Sequence, residues 1–163
     1  MRCTLLLIAA SCLAVQAIAA PTFTVSNLVT DDQSVNTAQI TDSDLKNAWG
    51  IASSPTGPFW VSDNGSGVST VYNVNSVTNS TSKVGLTVSI PGAGNVTGQA
   101  YNGTSTAFNG DTFVFVSEDG TISGWRGALG PSAETLQTGS ASNVYKGVTL
   151  ATTGGHSYLY SAN

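Results

Sequence analysis

The chain has 163 residues, with five Lys and Arg against nine Asp and Glu, a formal net charge of −4, and only 9% charged residues. Globular domains average about 25%, so solubility must come from Ser, Thr, Asn and Gly. The scarcity of basic side chains excludes a nucleic-acid binder, whose affinity rests on phosphate contacts, and argues against an anionic membrane surface.

At the N-terminus one positive residue, Arg2, precedes an apolar run from Leu5 to Val15, and small residues follow at Ala17 and Ala19. This is the pattern of a secretory signal peptide with an A-x-A cleavage site. Residues 1–19 are therefore expected to be removed and the protein secreted. The run is too short for a membrane span of about 20 residues, and no second run approaches that length. Both cysteines, Cys3 and Cys12, leave with the leader. The mature chain, 20–163, then has neither a disulfide nor a thiol, unlike many small secreted domains.

Beyond the leader no segment shows sustained helical periodicity. "SDLKNAW", from Ser43, predicts at most one turn, with Ser43 as its cap. Elsewhere short β-rich runs are broken by Gly, Asn, Asp and Ser. "FTVSNLV", "FWVSD", "STVYNV", "VGLTVSI", "TFVFVS", "TISGW" and "SYLYSA" read as strands in that order. "DNG" and "EDG" between them read as tight hairpin turns, because Asn-Gly and Asp-Gly accept positive φ.

A pattern recurs about 48 residues apart, aligned on Gly50, Gly98 and Gly147. Each unit has a glycine, a small-residue strand, and an aromatic strand ending in "VSDNG", "VSEDG" or "YSAN". Such a period predicts an all-β fold of β-propeller type, one four-stranded blade per unit. The units run roughly 47–94, 95–143 and 144–163, the last incomplete. A sandwich with chance similarity between hairpins is the alternative. Trp49, Trp60, Phe113, Phe115, Trp125 and Tyr158 are the expected packing between blades, as are Phe59 and Trp60 in the first hairpin. Propellers close with 4 to 8 blades, so two to three blades predict a fragment. Its open faces and strand edges predict poor solubility or self-association.

The chemistry-bearing residues are few. His156 is the only histidine; it lies in a loop entering a strand, and no partner for base catalysis is evident. Zinc held by Cys or His is excluded for the mature chain, and no nucleophile elbow or phosphate loop is present. Asp63, Glu118 and Asp119 sit at corresponding strand ends. With Asn64 and Asn163 they form a candidate calcium set, since calcium takes oxygen ligands. The competing reading, and the favoured one, is turn chemistry, in which Asp and Asn bond their own backbone. Asn64, Asn79, Asn95 and Asn102 each begin an N-x-[ST] sequon. These are glycan acceptors in a eukaryotic secretory pathway. Asn79 is the best placed, while Asn64 is doubtful because of its tight turn.

Trp49-Gly50-Ile51-Ala52, followed by Pro58 through Gly65, Gly67, Ser69 and Tyr72, resembles a family of secreted, propeller-like proteins. They share a W-G-I-A … P-F-W-V-S-D-N-G-x-G-x-S-x-x-Y signature. Thr112–Trp125 and Val144–Ala151 extend the likeness over most of the mature chain. The resemblance implies a longer propeller and no particular reaction. A more distant likeness is to NHL-repeat and lactonase-type propellers, some of which hold calcium over the channel. The expected role is thus an extracellular scaffold binding an unidentified ligand or protein. A metal-dependent hydrolase of the lactonase type and a cell-surface or matrix structural protein are the alternatives.

Overall fold

The computed structural model describes residues 23–163. The expected leader, its cleavage site and both cysteines lie outside them. The described chain is all-β, built mainly from antiparallel sheets joined by short loops. No described helix is long and apolar enough to cross a membrane.

Two short strands, β1 (Val29–Thr30) and β2 (Ile40–Thr41), pair in parallel and open the fold. Of the expected strand "FTVSNLV" only its last residue joins a ladder. A four-stranded meander follows: β3 (Ala48–Ser53), β4 (Phe59–Asp63), β5 (Val68–Asn75) and β6 (Ser80–Ser89). A second meander has the same order: β7 (Val96–Tyr101), β8 (Phe113–Ser117), β9 (Ile122–Trp125) and β10 (Glu134–Gln137). A hairpin of β11 (Gly147–Thr153) and β12 (His156–Ala162) makes a third antiparallel sheet.

The sheets lie side by side along their first strands. β3 packs beside β7, and β7 beside β11. Glycine makes this approach possible. A Cβ on Gly50 would stand 3.0 Å from the Gly98 Cα, and one on Gly98 would stand 2.9 Å from the Gly147 Cα. Side chains at these positions would collide with backbone that has no room to move.

Between the first two sheets lies the core, formed by Trp60, Val71, Val88, Ile90, Val96, Phe113 and Phe115. Trp60 stacks on Phe113 with ring centroids 4.4 Å apart and meets Trp125 at 4.7 Å. Each such buried side chain stabilises by about 1.5–3 kcal/mol, well above a surface ion pair's ~0–1 kcal/mol. Three of the expected packing aromatics are largely outside it. Trp49 is 45% exposed, Phe59 40% and Tyr158 44%. Trp49 lies on the first strand of its sheet, while Phe59 and Tyr158 point away from the neighbouring sheet.

Two turns differ from expectation. Neither Asn64 nor Gly65 takes positive φ; Gly67 does, at 70°, closing a four-residue loop between Asp63 and Val68. The "EDG" turn is shorter. Ser117 accepts from Gly120 and donates to Thr121, with Gly120 at φ 80°. The extra residue in the first loop shifts the register. Asp63 pairs with Ala48, two residues before Gly50, and Ser117 pairs with Val96, two before Gly98. Ser117, rather than Glu118, therefore stands where Asp63 stands, and Glu118 matches Asn64. At "SDLKNAW" a turn forms without a helix. Asp42, not Ser43, caps it, its carboxylate accepting the Asp44 N–H at 3.1 Å.

Candidate functional site

The first strands of the three sheets floor a cleft of about 280 Å³. Its walls include Trp49, Ile51, Thr97, Gln99, Lys146 and Val148, and its floor is the bare backbone of Gly50, Gly98 and Gly147. Gln99 is buried and locks the floor. Its amide donates to the carbonyls of Gly50 and Trp60, and its oxygen accepts from Ser69 at 3.0 Å. Thr97 donates to the Tyr145 carbonyl at 2.8 Å, tying the second sheet to the approach of the third.

A chain of polar side chains crosses all three sheets at the rim. Asn47 donates to the Asn64 oxygen at 3.0 Å, and Asn64 donates to Glu118 at 3.3 Å. Lys146 donates to the other Glu118 oxygen. The Lys146 ammonium also lies 5.5 Å from the Trp49 ring centroid, within range of a cation–π attraction. The hydrogen bond from Lys146, then that from Asn64, holds the Glu118 carboxyl below its ordinary range. Glu118 therefore keeps its charge to a lower pH than an ordinary glutamate.

Asp63 is separate from this chain. It is fully buried, one oxygen accepting from Thr70 at 2.7 Å and the other without a partner. Burial pushes it up to about 7. Beside it Asp42 accepts from Tyr72 at 2.6 Å and from Lys83 at 2.7 Å, and Lys83 also reaches Asp44 at 3.0 Å. Burial pushes Asp42 up, but the Lys83 and Tyr72 hydrogen bonds outweigh it and lower the carboxyl. The Tyr72 hydroxyl is raised, first by burial and then by Asp42.

No family model matches this chain. No curated protein matches it either.

Of the four calcium candidates, the structure brings together only Asn64 and Glu118, and those two bond to each other. Asp119 accepts the Thr121 N–H at 2.9 Å and the Ala93 N–H at 2.7 Å, the backbone turn chemistry of a short acid. Asp63 faces inward to Thr70. Asn163, the remaining member of the wider set, accepts the Val144 N–H at 2.6 Å. These oxygens do not converge on one point, and no three His, Cys, Asp or Glu side chains do so among the described residues. A shared calcium ion does not fit this arrangement.

The sequons divide by burial. Asn79 and Asn95 are exposed, while Asn64 and Asn102 are buried. The Asn102 amide donates to the carbonyls of Thr104, Ala107 and Asp111 at 2.7–3.1 Å. His156 is exposed, its ring 6.4 Å from that of Tyr158. Lys146, Asn47 and Gln99 escaped the sequence reading. Lys146 directly precedes β11 without any acid nearby in sequence, and only the packing of sheets brings it to Glu118.

Proposed function

We propose that the chain is a secreted scaffold of β-propeller type that binds an extracellular ligand or protein across the mouth of its first strands. In this reading each four-stranded meander is one blade and the β11–β12 hairpin begins a third. The side-by-side packing of β3, β7 and β11 at Gly50, Gly98 and Gly147 supports it, because blades meet along their innermost strands around a channel.

One observation carries the binding role. The cleft presents a half-exposed tryptophan, Trp49, beside the Lys146 ammonium and above bare glycine backbone. Aromatic and polar groups converging in a concavity are the ordinary makings of a ligand site. The Asn64–Glu118–Lys146 chain orders its rim and leaves Lys146 46% exposed. A lactonase-type hydrolase would need an ion that the candidate oxygens do not gather, and a calorimetric calcium titration tests that point.

The binding role is tested on arrays of extracellular polysaccharides and secreted proteins, probed with the wild-type chain and with Trp49→Ala. Signals that vanish in the variant support the cleft as the site. Signals that persist unchanged in Trp49→Ala and Lys146→Ala overturn it.

A further inference from the structure

The segment from Asp42 to Asn47 joins β2, which ends at Thr41, to β3, which starts at Ala48, and belongs to no ladder itself. Other bonds strap it to the first sheet. Asp42 accepts from the Tyr72 hydroxyl of β5 and, together with Asp44, from the Lys83 ammonium of β6. Further along, the segment holds the turn between β4 and β5. The Asp44 carbonyl accepts from the Ser66 hydroxyl at 2.5 Å, the Lys46 carbonyl from the Gly65 N–H at 2.9 Å, and the Asn47 carbonyl from the Asn64 N–H at 3.3 Å. The Asn47 side chain also bonds the Asn64 side chain that reaches Glu118. Segment, turn and cleft rim thus form one connected unit.

Asp63 ends β4 where that unit begins. It is fully buried; one oxygen takes the Thr70 hydrogen bond and the other has no partner among the described residues. Its surroundings oppose a charge there. Burial raises the carboxyl most, and the Asp42 and Asp44 charges of the segment raise it further. Lys83, the cation of this cluster, is spent on those same two carboxylates at 2.7 and 3.0 Å. Thr70 and Tyr72 supply no positive charge. An ionised Asp63 is therefore a buried charge without a countercharge, and water is the relief open to it. Ladders to β3 and β5 fix its strand. The segment, with no ladder and two like charges, is the part that can yield.

We propose that ionisation of Asp63 releases the Asp42–Asn47 segment from the first sheet and loosens the rim at Asn64, so that this edge of the cleft is a pH-sensitive latch. The neutral carboxyl fits the closed latch and the anion does not. The carboxyl is raised from its ordinary 3.8 to about 7. The closed form is therefore fully stabilised below about 4 and loses that stabilisation as pH rises to about 7. Opening grows on the order of tenfold per pH unit across this interval and levels off above it. Asp42 and Glu118 are both lowered, so neither titrates in its upper half. The latch is independent of any ligand in the Trp49 cleft.

The test is papain cleavage of the intact chain after Lys46, an exposed residue of the segment. Rates are compared between about pH 5 and about pH 7, each scaled to cleavage of a free peptide of residues 42–50. Wild type should be cut on the order of tenfold faster per pH unit, while the bond after Arg126, in the second sheet's loop, stays protected. Asp63→Asn, neutral throughout, should be cut slowly at every pH. The nuclear magnetic resonance signals of the Asn64 side-chain amide should shift over the same interval in wild type and stay fixed in Asp63→Asn. A flat Lys46 profile in wild type, the same rise in Asp63→Asn, or Asn64 signals that do not move overturns the inference. So does a matching rise at Arg126, which would mean that the whole fold opens. If Asp63→Asn does not fold, the wild-type ratio of the two cleavage rates decides alone.

Discussion

Gly50 and Gly98 meet backbone to backbone: a Cβ built on Gly50 would lie 3.0 Å from the Gly98 Cα and 2.8 Å from the Thr97 carbonyl oxygen. The contact repeats one sheet further on, where a Cβ on Gly98 would lie 2.8 Å from the Val148 nitrogen. Gly98→Ala must therefore push two strands apart. It should cost about 1–3 kcal/mol, the usual range for overpacking, read as a lower midpoint in urea unfolding. Gly147→Ala is the control. Nothing lies within 4 Å of a Cβ there, so its midpoint should stay close to wild type.

Asp63 predicts a pH dependence. Its folded value, about 7, lies above its ordinary 3.8. The stabilising contribution of the neutral carboxyl is complete below about 4 and is lost as pH rises to about 7. Asp119 and Glu118 shift the other way and act below their ordinary 3.8 and 4.5, at the acid edge of this window, while Asp111, also raised by burial, adds to the fall. Stability should fall by up to about 4 kcal/mol from pH 4 to pH 7. Chemical unfolding at a series of pH values reads the slope, and Asp63→Asn should make it shallower, leaving the part owed to Asp111. A wild-type profile without that fall refutes the buried acid.

Gln99 joins the first two sheets through three partners, so its removal should exceed that of any surface group. Gln99→Ala leaves Ser69 and two carbonyls without their partner. A loss of about 2–4 kcal/mol is expected. Lys146→Ala, breaking a half-exposed ion pair, should cost about 1 kcal/mol or less. Equal losses in thermal or urea unfolding would contradict this ranking.

Glycosylation should follow side-chain access. When the chain is secreted from yeast, glycopeptide mapping should find sugar on Asn79 and Asn95. It should find none on Asn102, whose amide is spent on three carbonyls. A fully occupied Asn102 would contradict the loop geometry.

Much of the strand order was legible because alternation and Gly or Asn punctuation are local signals. "FWVSD", "TFVFVS" and "SYLYSA" each became a strand. β10 was not legible, since "ETLQ" has only one β-branched residue and no aromatic. The one-residue shift that equates Asp63 with Ser117 was hidden as well. It arises from loop length, which the echo of "VSDNG" in "VSEDG" masks. Lys146 meets Glu118 only through sheet packing, so the rim of the cleft has no sequence signature. Burial likewise decides that Asp63 is a raised acid while Asp119 is a turn residue, and both read alike in the sequence.

The arrangement of the three antiparallel sheets along their first strands underlies the cleft and its rim alike. Nuclear Overhauser spectroscopy on the isotope-labelled chain tests it most directly. Cross-peaks between the Hα protons of Gly50 and Gly98, and between those of Gly98 and Gly147, are the predicted result. A folded protein with well-dispersed strand resonances and neither cross-peak would contradict the account.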